Sequence, residues 1–229
     1  MRREVLRAVS ITFGYYSEPV LLDASLDARE GEVVAVTGPT GSGKTTLLMV
    51  LAGLLRPWSG EVYFMGRPVW ERLPEARRHI GVMFQNPDDM FFNATVLDEI
   101  AYTAVRAYGP EAGLKMARRA AEELGISHLL DRPPYRLSGG QKRLVALAAA
   151  AAHGPRLLLL DEPTTYLDEE LWELAASYIA RQRERGVSIV IATHDLELIC
   201  RLADRTYALR GGRLSEWRPG RKKLCICGL

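Results

Sequence analysis

Three short stretches of this chain combine residue types that chemistry on phosphates requires. Gly38-Pro39-Thr40-Gly41-Ser42-Gly43-Lys44-Thr45, followed by Thr46, fits the pattern G-x-x-x-x-G-K-[ST]. Its glycines let backbone N–H groups turn inward as an anion cradle, and a following helix would aim its positive dipole end at the phosphates. Lys44 could reach the β- and γ-phosphates of a nucleoside triphosphate, and the Thr45 hydroxyl could ligate Mg²⁺. The second stretch, Leu157-Leu158-Leu159-Leu160-Asp161-Glu162, sets two acids behind four apolar residues. A strand ending there leaves Asp161 at the carboxyl edge of a sheet, where open α/β sheets bind ligands. With Pro163 and Thr164 opening a turn, the pair also reads as the acids of a helix start. The third stretch is Leu137-Ser138-Gly139-Gly140-Gln141. Small residues before a helix make a second anion site, although Ser138 also reads simply as a helix N-cap. One chain has no second triphosphate to put there.

The elements that must hold these stretches are legible in the apolar pattern. Val33 to Thr37 is a β-branched apolar run bounded by glycines, which predicts a buried strand. Residues 45–55 place Leu47, Leu48, Leu51, Leu54 and Leu55 on a helical period that stops before Pro57. Strand, glycine-rich turn and helix open a parallel α/β unit. Further short apolar strands are expected at 80–84, 157–160 and 187–192. Residues 1–30 and 60–70 alternate apolar and polar residues between turns and predict an antiparallel edge sheet. Residues 94–130 are rich in Ala, Glu and Arg and read as a helical insert, which a helix over 144–152 continues. Residues 168–185 form another amphipathic helix closed by Gly186, and 207–217 a closing hairpin over Gly211-Gly212. No internal repeat is visible. The reading is a single domain over 1–229, with residues 94–150 as an inserted helical subdomain.

Composition narrows the class. The 229 residues are 48% hydrophobic and 25% charged, ordinary for a globular core. A net charge of +2 is too balanced to point to nucleic acid as the main partner. Cys200, Cys225 and Cys227 make no disulfide framework and fit a reducing compartment. Met1 to Leu6 lacks the apolar stretch of a secretory signal, and no apolar run approaches a membrane span. The chain is expected to be soluble, so Asn93-Ala94-Thr95 is dismissed as a glycosylation acceptor.

Phosphate loop, Leu-Ser-Gly-Gly-Gln and acid pair, in this order and spacing, resemble the ATP-binding-cassette ATPases over nearly the whole chain. The resemblance implies a P-loop α/β fold: a mainly parallel sheet core, an antiparallel β edge and a helical signature subdomain. It implies ATP and Mg²⁺ as ligands, with Asp161 holding Mg²⁺ through water and Glu162 polarising the attacking water. It makes 137–141 a cap on the γ-phosphate held by an opposite subunit, so that two chains sandwich two ATP molecules. Tyr15 stands where the family's aromatic stacks on adenine, with Phe13 and Tyr16 as rivals. Gln85 matches the Q-loop glutamine near Mg²⁺, Asp168 the D-loop aspartate that meets the partner chain, and His194 the switch histidine that senses γ-phosphate. One position departs from the pattern. The family usually carries an Arg three residues beyond the signature glutamine; here Leu144 stands there and Arg143 one place earlier, about 100° around a helix.

Gln85-Asn86-Pro87-Asp88-Asp89-Met90-Phe91 and Thr95-Val96-Leu97-Asp98-Glu99-Ile100 resemble the ATPases of energy-coupling-factor importers, which serve metals and vitamins. In that family this region faces the membrane partner, and apolar Met90, Phe91 and Phe92 would suit a groove for a coupling helix. The resemblance implies a cytoplasmic ATPase, peripheral on the inner face of the membrane. A cassette exporter is the alternative. Chromosome and repair cassettes need a long coiled-coil insertion that this chain lacks.

Overall fold

The computed structural model describes residues 2–218; Cys225 and Cys227 lie outside that range. Two sheets and a helical arm build the chain. Strands β1 (Glu4–Tyr15), β2 (Glu18–Arg29), β4 (Ser59–Phe64) and β5 (Arg67–Pro68) form an antiparallel sheet in the order β2-β1-β4-β5. The second sheet runs β10-β9-β3-β8-β7-β6, from β3 (Val33–Thr37), β6 (Ile80–Met83), β7 (Leu157–Asp161), β8 (Ser188–Ala192), β9 (Arg205–Arg210) and β10 (Arg213–Glu216). Its inner pairs are parallel, and only β10 closes it antiparallel. A mainly parallel sheet, an antiparallel edge and a helical arm are what the resemblance implies, with one addition: β9 pairs with β3 as well as with its hairpin partner.

The parallel strands are apolar throughout because both faces are covered. Leu158, Leu160, Ile189 and Ile191 face one core, under the helical arm; Leu157, Leu159, Val190 and Ala192 face the other, against the antiparallel sheet. That alternation follows from the two-residue period of a strand. The helical arm comprises α3 (Val96–Tyr108), α4 (Pro110–Glu123) and α5 (Gly139–Ala151), which pack mutually and on α6 (Glu169–Glu184). Gly81 in β6 lets α5 approach: a Cβ there would lie 2.0 Å from the Ala150 carbonyl oxygen. The remaining helices are α1 (Lys44–Leu51), the short α2 (Leu73–Arg77) and α7 (Leu196–Leu202).

Arg205 joins the two sheets. Its guanidinium donates to Glu32 Oε1 (2.6 Å) and Oε2 (3.1 Å), to both Asp27 carboxylate oxygens (3.0 Å each) and to the Asp27 carbonyl (2.7 Å). Those bonds hold its pKa well above the usual arginine value, the Glu32 pair contributing most. Helix α1 is shorter than its leucine pattern predicts. It stops at Leu51 because Gly53 turns the chain into the left-handed region (φ 68°), which leaves Leu54 exposed and Leu55 partly buried on the core. Among the described residues no helix is long and apolar enough to cross a membrane.

Candidate functional site

Four loops converge at the carboxyl ends of neighbouring strands. The phosphate loop follows β3, the switch region follows β8, the acid pair ends β7 and Gln85 lies just past β6. Val36 pairs with Ala192, and Ala192 with Asp161, so these ends are level across the sheet. Adjacent strands lie about 4.8 Å apart, which sets the scale of the resulting crevice.

Gly43 caps α1 in a left-handed conformation (φ 99°) and turns the loop over the helix start. Lys44 is buried and donates from Nζ to the carbonyls of Gly38 (2.9 Å) and Pro39 (3.3 Å); it also lies 4.0 Å from Glu162 Oε1. Thr45 donates from Oγ1 to Asp161 Oδ2 at 2.5 Å. Asp161 is 2% exposed, and its other oxygen, Oδ1, is buried without a hydrogen-bond partner among the described residues. Burial pushes this carboxyl above the usual aspartate range, and the Glu162 charge adds to that, against the Thr45 bond. Ser42 Oγ in the phosphate loop is likewise buried and unpartnered among the described residues. A free carboxylate oxygen beside a hydroxyl is a donor set that suits a hard, oxygen-liganded cation such as Mg²⁺. Gln85 and Thr45 line one cleft of about 320 Å³ between the phosphate loop and the loop after β6.

Glu162 is the most constrained residue of the site. Its backbone is left-handed (φ 49°), a sparsely populated conformation for a residue with a side chain. Its N–H donates to the Ala192 carbonyl (2.8 Å), which stitches it to the end of β8. Its Oε2 accepts from the Thr193 hydroxyl (3.0 Å), the Thr165 hydroxyl (3.0 Å) and the His194 N–H (3.4 Å), while Oε1 meets His194 Nδ1 at 2.9 Å. The carboxylate is thus aimed by three neighbours, with the His194 ring largely exposed above it.

Three aromatics competed for the position against adenine, and their burial differs. Phe13 is buried and belongs to the core, whereas Tyr16 is fully exposed at a turn. Tyr15 is half exposed, packs edge-on against Phe13 (5.2 Å) and brings its hydroxyl within 3.4 Å of Thr46 Oγ1 at the phosphate helix. Among the three, only Tyr15 is both open and next to the phosphate loop.

The signature stretch stands apart. Leu137 is buried, Ser138 and Gly139 are exposed, and among the described residues no hydrogen bond joins 137–141 to 38–46. Ser138 and Gln141 form a reciprocal capping box on α5, so the plain helix-cap reading holds locally. Gly139 is not explained by that cap: a Cβ there would meet nothing within 4 Å. Asp168 likewise caps α6 through Leu171 N–H (2.9 Å) on an exposed surface.

Two residues that the motifs do not mark tie these parts together. Leu144 is fully buried in the helical core. Arg143, one position earlier, turns inward: it is 7% exposed and donates to the Glu162 carbonyl and, at 3.2 Å, to the Gln85 carbonyl. Burial lowers its pKa, opposed by the Glu162 and Asp161 charges. Glu99, also buried, accepts from the N–H groups of Phe92 (3.1 Å) and Asn93 (2.8 Å) through one oxygen and so shapes that loop. The apolar loop divides accordingly. Met90 and Phe91 fold onto the chain's own core, contrary to the expectation that all three apolar residues face a groove; only Phe92 stays exposed.

The ABC transporter family matches residues 21–165. The chain belongs to the ABC transporter ATP-binding family. The cassette is 40% identical over 215 residues to a putative ABC transporter ATP-binding protein of Methanocaldococcus jannaschii, covering 90% of this chain and 77% of that protein. It is also 40% identical over 215 residues to the cobalt import ATP-binding protein of Rhodobacter capsulatus, covering 92% and 77%. A solved dimeric ATP-binding cassette in a post-hydrolysis state, bound to ADP and Pi, matches it with a TM-score of 0.86 at 28% identity, over 94% of this chain and 99% of that one. The cassette is therefore an ATP-hydrolysing subunit of the ABC transporter type.

Proposed function

We propose that this cassette powers an energy-coupling-factor importer for a metal ion or vitamin, working as one of two ATPase chains beneath a membrane partner. It is read as a single ATPase domain over 1–229, with residues 94–150 as its signature subdomain, on the cytoplasmic face of the membrane. The observation that carries the paired reading is the split of the site. Lys44, Thr45, Asp161, Glu162 and His194 gather at one sheet edge, while the second anion loop lies open and unlinked to them. Its Gly139 faces empty space, which is room for a phosphate on another chain.

The geometry supports the following roles. ATP stacks on Tyr15 and threads its phosphates along the backbone N–H groups of 38–46, with Lys44 exchanging its loop carbonyls for phosphate oxygens. Thr45, Asp161 and Gln85 would hold Mg²⁺, which when bound neutralises charge on the phosphates. Glu162, aimed by Thr193, Thr165 and His194, orients water and accepts its proton. The signature loop of the opposite chain supplies N–H groups from the other side, and Asp168 lies where the two chains meet.

The importer subclass rests on the segment after β6. Asn86 accepts from Asp88 N–H and donates to Asp89, capping a turn that starts at Pro87, so the Asn-Pro-Asp sequence has a structural reason. Beside it, Phe92 is 66% exposed and stacks edge-on with Tyr102 at 4.7 Å, near a groove of about 370 Å³ lined by Tyr102, Val105 and Leu114. An apolar ridge beside a groove suits a helix of a membrane subunit. The relation to a cobalt import ATPase supports the same subclass.

The test is Glu162→Gln. This variant should bind ATP, lose about 10²- to 10⁴-fold in turnover, and elute as a dimer only when ATP is present. A variant that binds ATP yet stays monomeric would sink the paired reading. Purification from membranes with its partner subunits then tests the importer assignment.

A further inference from the structure

Helix α5 carries the signature stretch at its start, Gly139, and Arg143 about one turn later, roughly 6 Å along the axis. The two ends of that short span address different ATP sites in the paired cassette. The signature loop serves the triphosphate of the other chain. Arg143 grips two main-chain carbonyls of its own site, those of Glu162 and Gln85. Next to it, Lys142 donates to Asp88 at 2.6 Å, so the same turn also holds the loop after β6. No other side chain described in the structure joins the acid-pair residue, the Q-loop and the signature helix at one point.

We propose that Arg143 is a positioning residue that couples the two ATP sites: closing of the signature loop on the partner's ATP sets the aim of Glu162 in its own site. This rests on the paired-cassette reading. The physical case starts from Glu162. Its left-handed backbone costs free energy and persists only where neighbours fix it. The Glu162 carbonyl is one of the groups that define that conformation, and Arg143 is its side-chain partner. A small displacement of α5 when Ser138 and Gly139 engage a phosphate is therefore delivered to this carbonyl, and from there to the carboxylate that aims the water. Leu144 cannot do this, because it is fully buried among apolar neighbours. Position 143, one place before Leu144, is where α5 turns a guanidinium toward the acid pair.

Arg143→Gln and Arg143→Lys test the idea in the paired cassette, by ATP binding to the isolated chain, by steady-state turnover and by the Hill coefficient for ATP. Misplacing a catalytic group by about 1 Å costs about 100-fold. The glutamine variant should accordingly keep its ATP affinity within about twofold, lose about 10- to 100-fold in kcat and show a Hill coefficient falling toward 1. The lysine variant, which restores one charged donor, should recover part of both. The idea is overturned if kcat and Hill coefficient stay at the wild-type values, or if kcat falls while the Hill coefficient does not. Should the glutamine variant fail to fold, the lysine variant decides on the same two readouts. A failed paired reading shows up separately, as Glu162→Gln remaining monomeric in ATP with Arg143 intact.

Discussion

His153 offers a test in which the fold itself predicts a pH response. It follows the end of α5, is 2% exposed, and among the described residues neither ring nitrogen has a hydrogen-bond partner. Burial, with a smaller push from His79, lowers its pKa from 6.5 to about 4. The folded chain therefore keeps this ring neutral where the unfolded chain protonates it. The stability it confers is complete above pH 6.5 and is lost as pH falls toward 4. The two values lie about 2.5 pH units apart, and each unit is worth about 1.4 kcal/mol, so the full loss approaches about 3 kcal/mol. At pH 5 the linkage relation gives about 2 kcal/mol of that. The assay is urea unfolding of the wild type and of His153→Leu at pH 7.5 and pH 5.0. Leucine suits a site where no hydrogen bond is lost, and any constant packing cost cancels between the two pH values. The wild type should lose about 2 kcal/mol more than the variant on acidification. Equal losses in the two proteins would refute the argument, because they would mean that the folded state protonates this ring as readily as the unfolded chain does.

Two further outcomes follow from the site. Ser138→Arg should leave ATP binding by the isolated chain within about twofold, because no hydrogen bond links the signature to the phosphate loop. It should abolish turnover and the ATP-dependent dimer of the Glu162→Gln background; loss of nucleotide binding by the monomer would count against the trans arrangement. Tyr15→Ala should weaken ATP binding about fivefold, since base stacking is worth about 1 kcal/mol or more per ring and this ring is half exposed. Tyr15→Phe should keep the affinity, and Phe13→Ala should lower stability instead; unchanged affinity in Tyr15→Ala, measured by nucleotide fluorescence titration, would remove adenine from this face.

The stretches of the candidate site are legible in the sequence because each is local. A phosphate loop needs its glycines, lysine and threonine within eight positions, and a strand end is marked by where an apolar run meets an acid. The sheet order placed those stretches side by side, and the β-branched runs foretold strands covered on both faces. What the sequence did not disclose depends on distant partners. Thr193 and His194 reach Glu162 from 31 and 32 positions away, and Arg143 reaches Gln85 across 58. Arg205 ties the two sheets from 173 and 178 positions away. The shift of Arg by one place was visible as a departure, but its meaning was not, because helical angle alone says where a side chain leaves the helix and not what waits there. The end of α1 departs from its sequence pattern for a related reason: the leucine period continues to Leu55, yet Gly53 turns the backbone before that pattern ends.

The arrangement around Glu162 also says where control of hydrolysis must lie. A left-handed backbone at a residue with a Cβ costs about 1–3 kcal/mol. Three sets of contacts hold that conformation: the Ala192 carbonyl, the Arg143 guanidinium, and Thr193, Thr165 and His194 around the carboxylate. A base fixed so firmly before any nucleotide arrives is not waiting to be assembled by ATP in its own loop. Lys44, Thr45 and Asp161 are likewise in place within one chain. The remaining need is stabilisation of charge on the far side of the γ-phosphate, and the exposed N–H groups at 138–140, which make no hydrogen bond to this chain's phosphate loop, are the candidate for it. Oriented donors aimed at developing charge are usually the largest single contribution to such catalysis. On the paired reading proposed above, hydrolysis then waits for the second chain: its signature loop supplies those donors, and closure of this chain's own signature loop sets the final aim of Glu162 through Arg143.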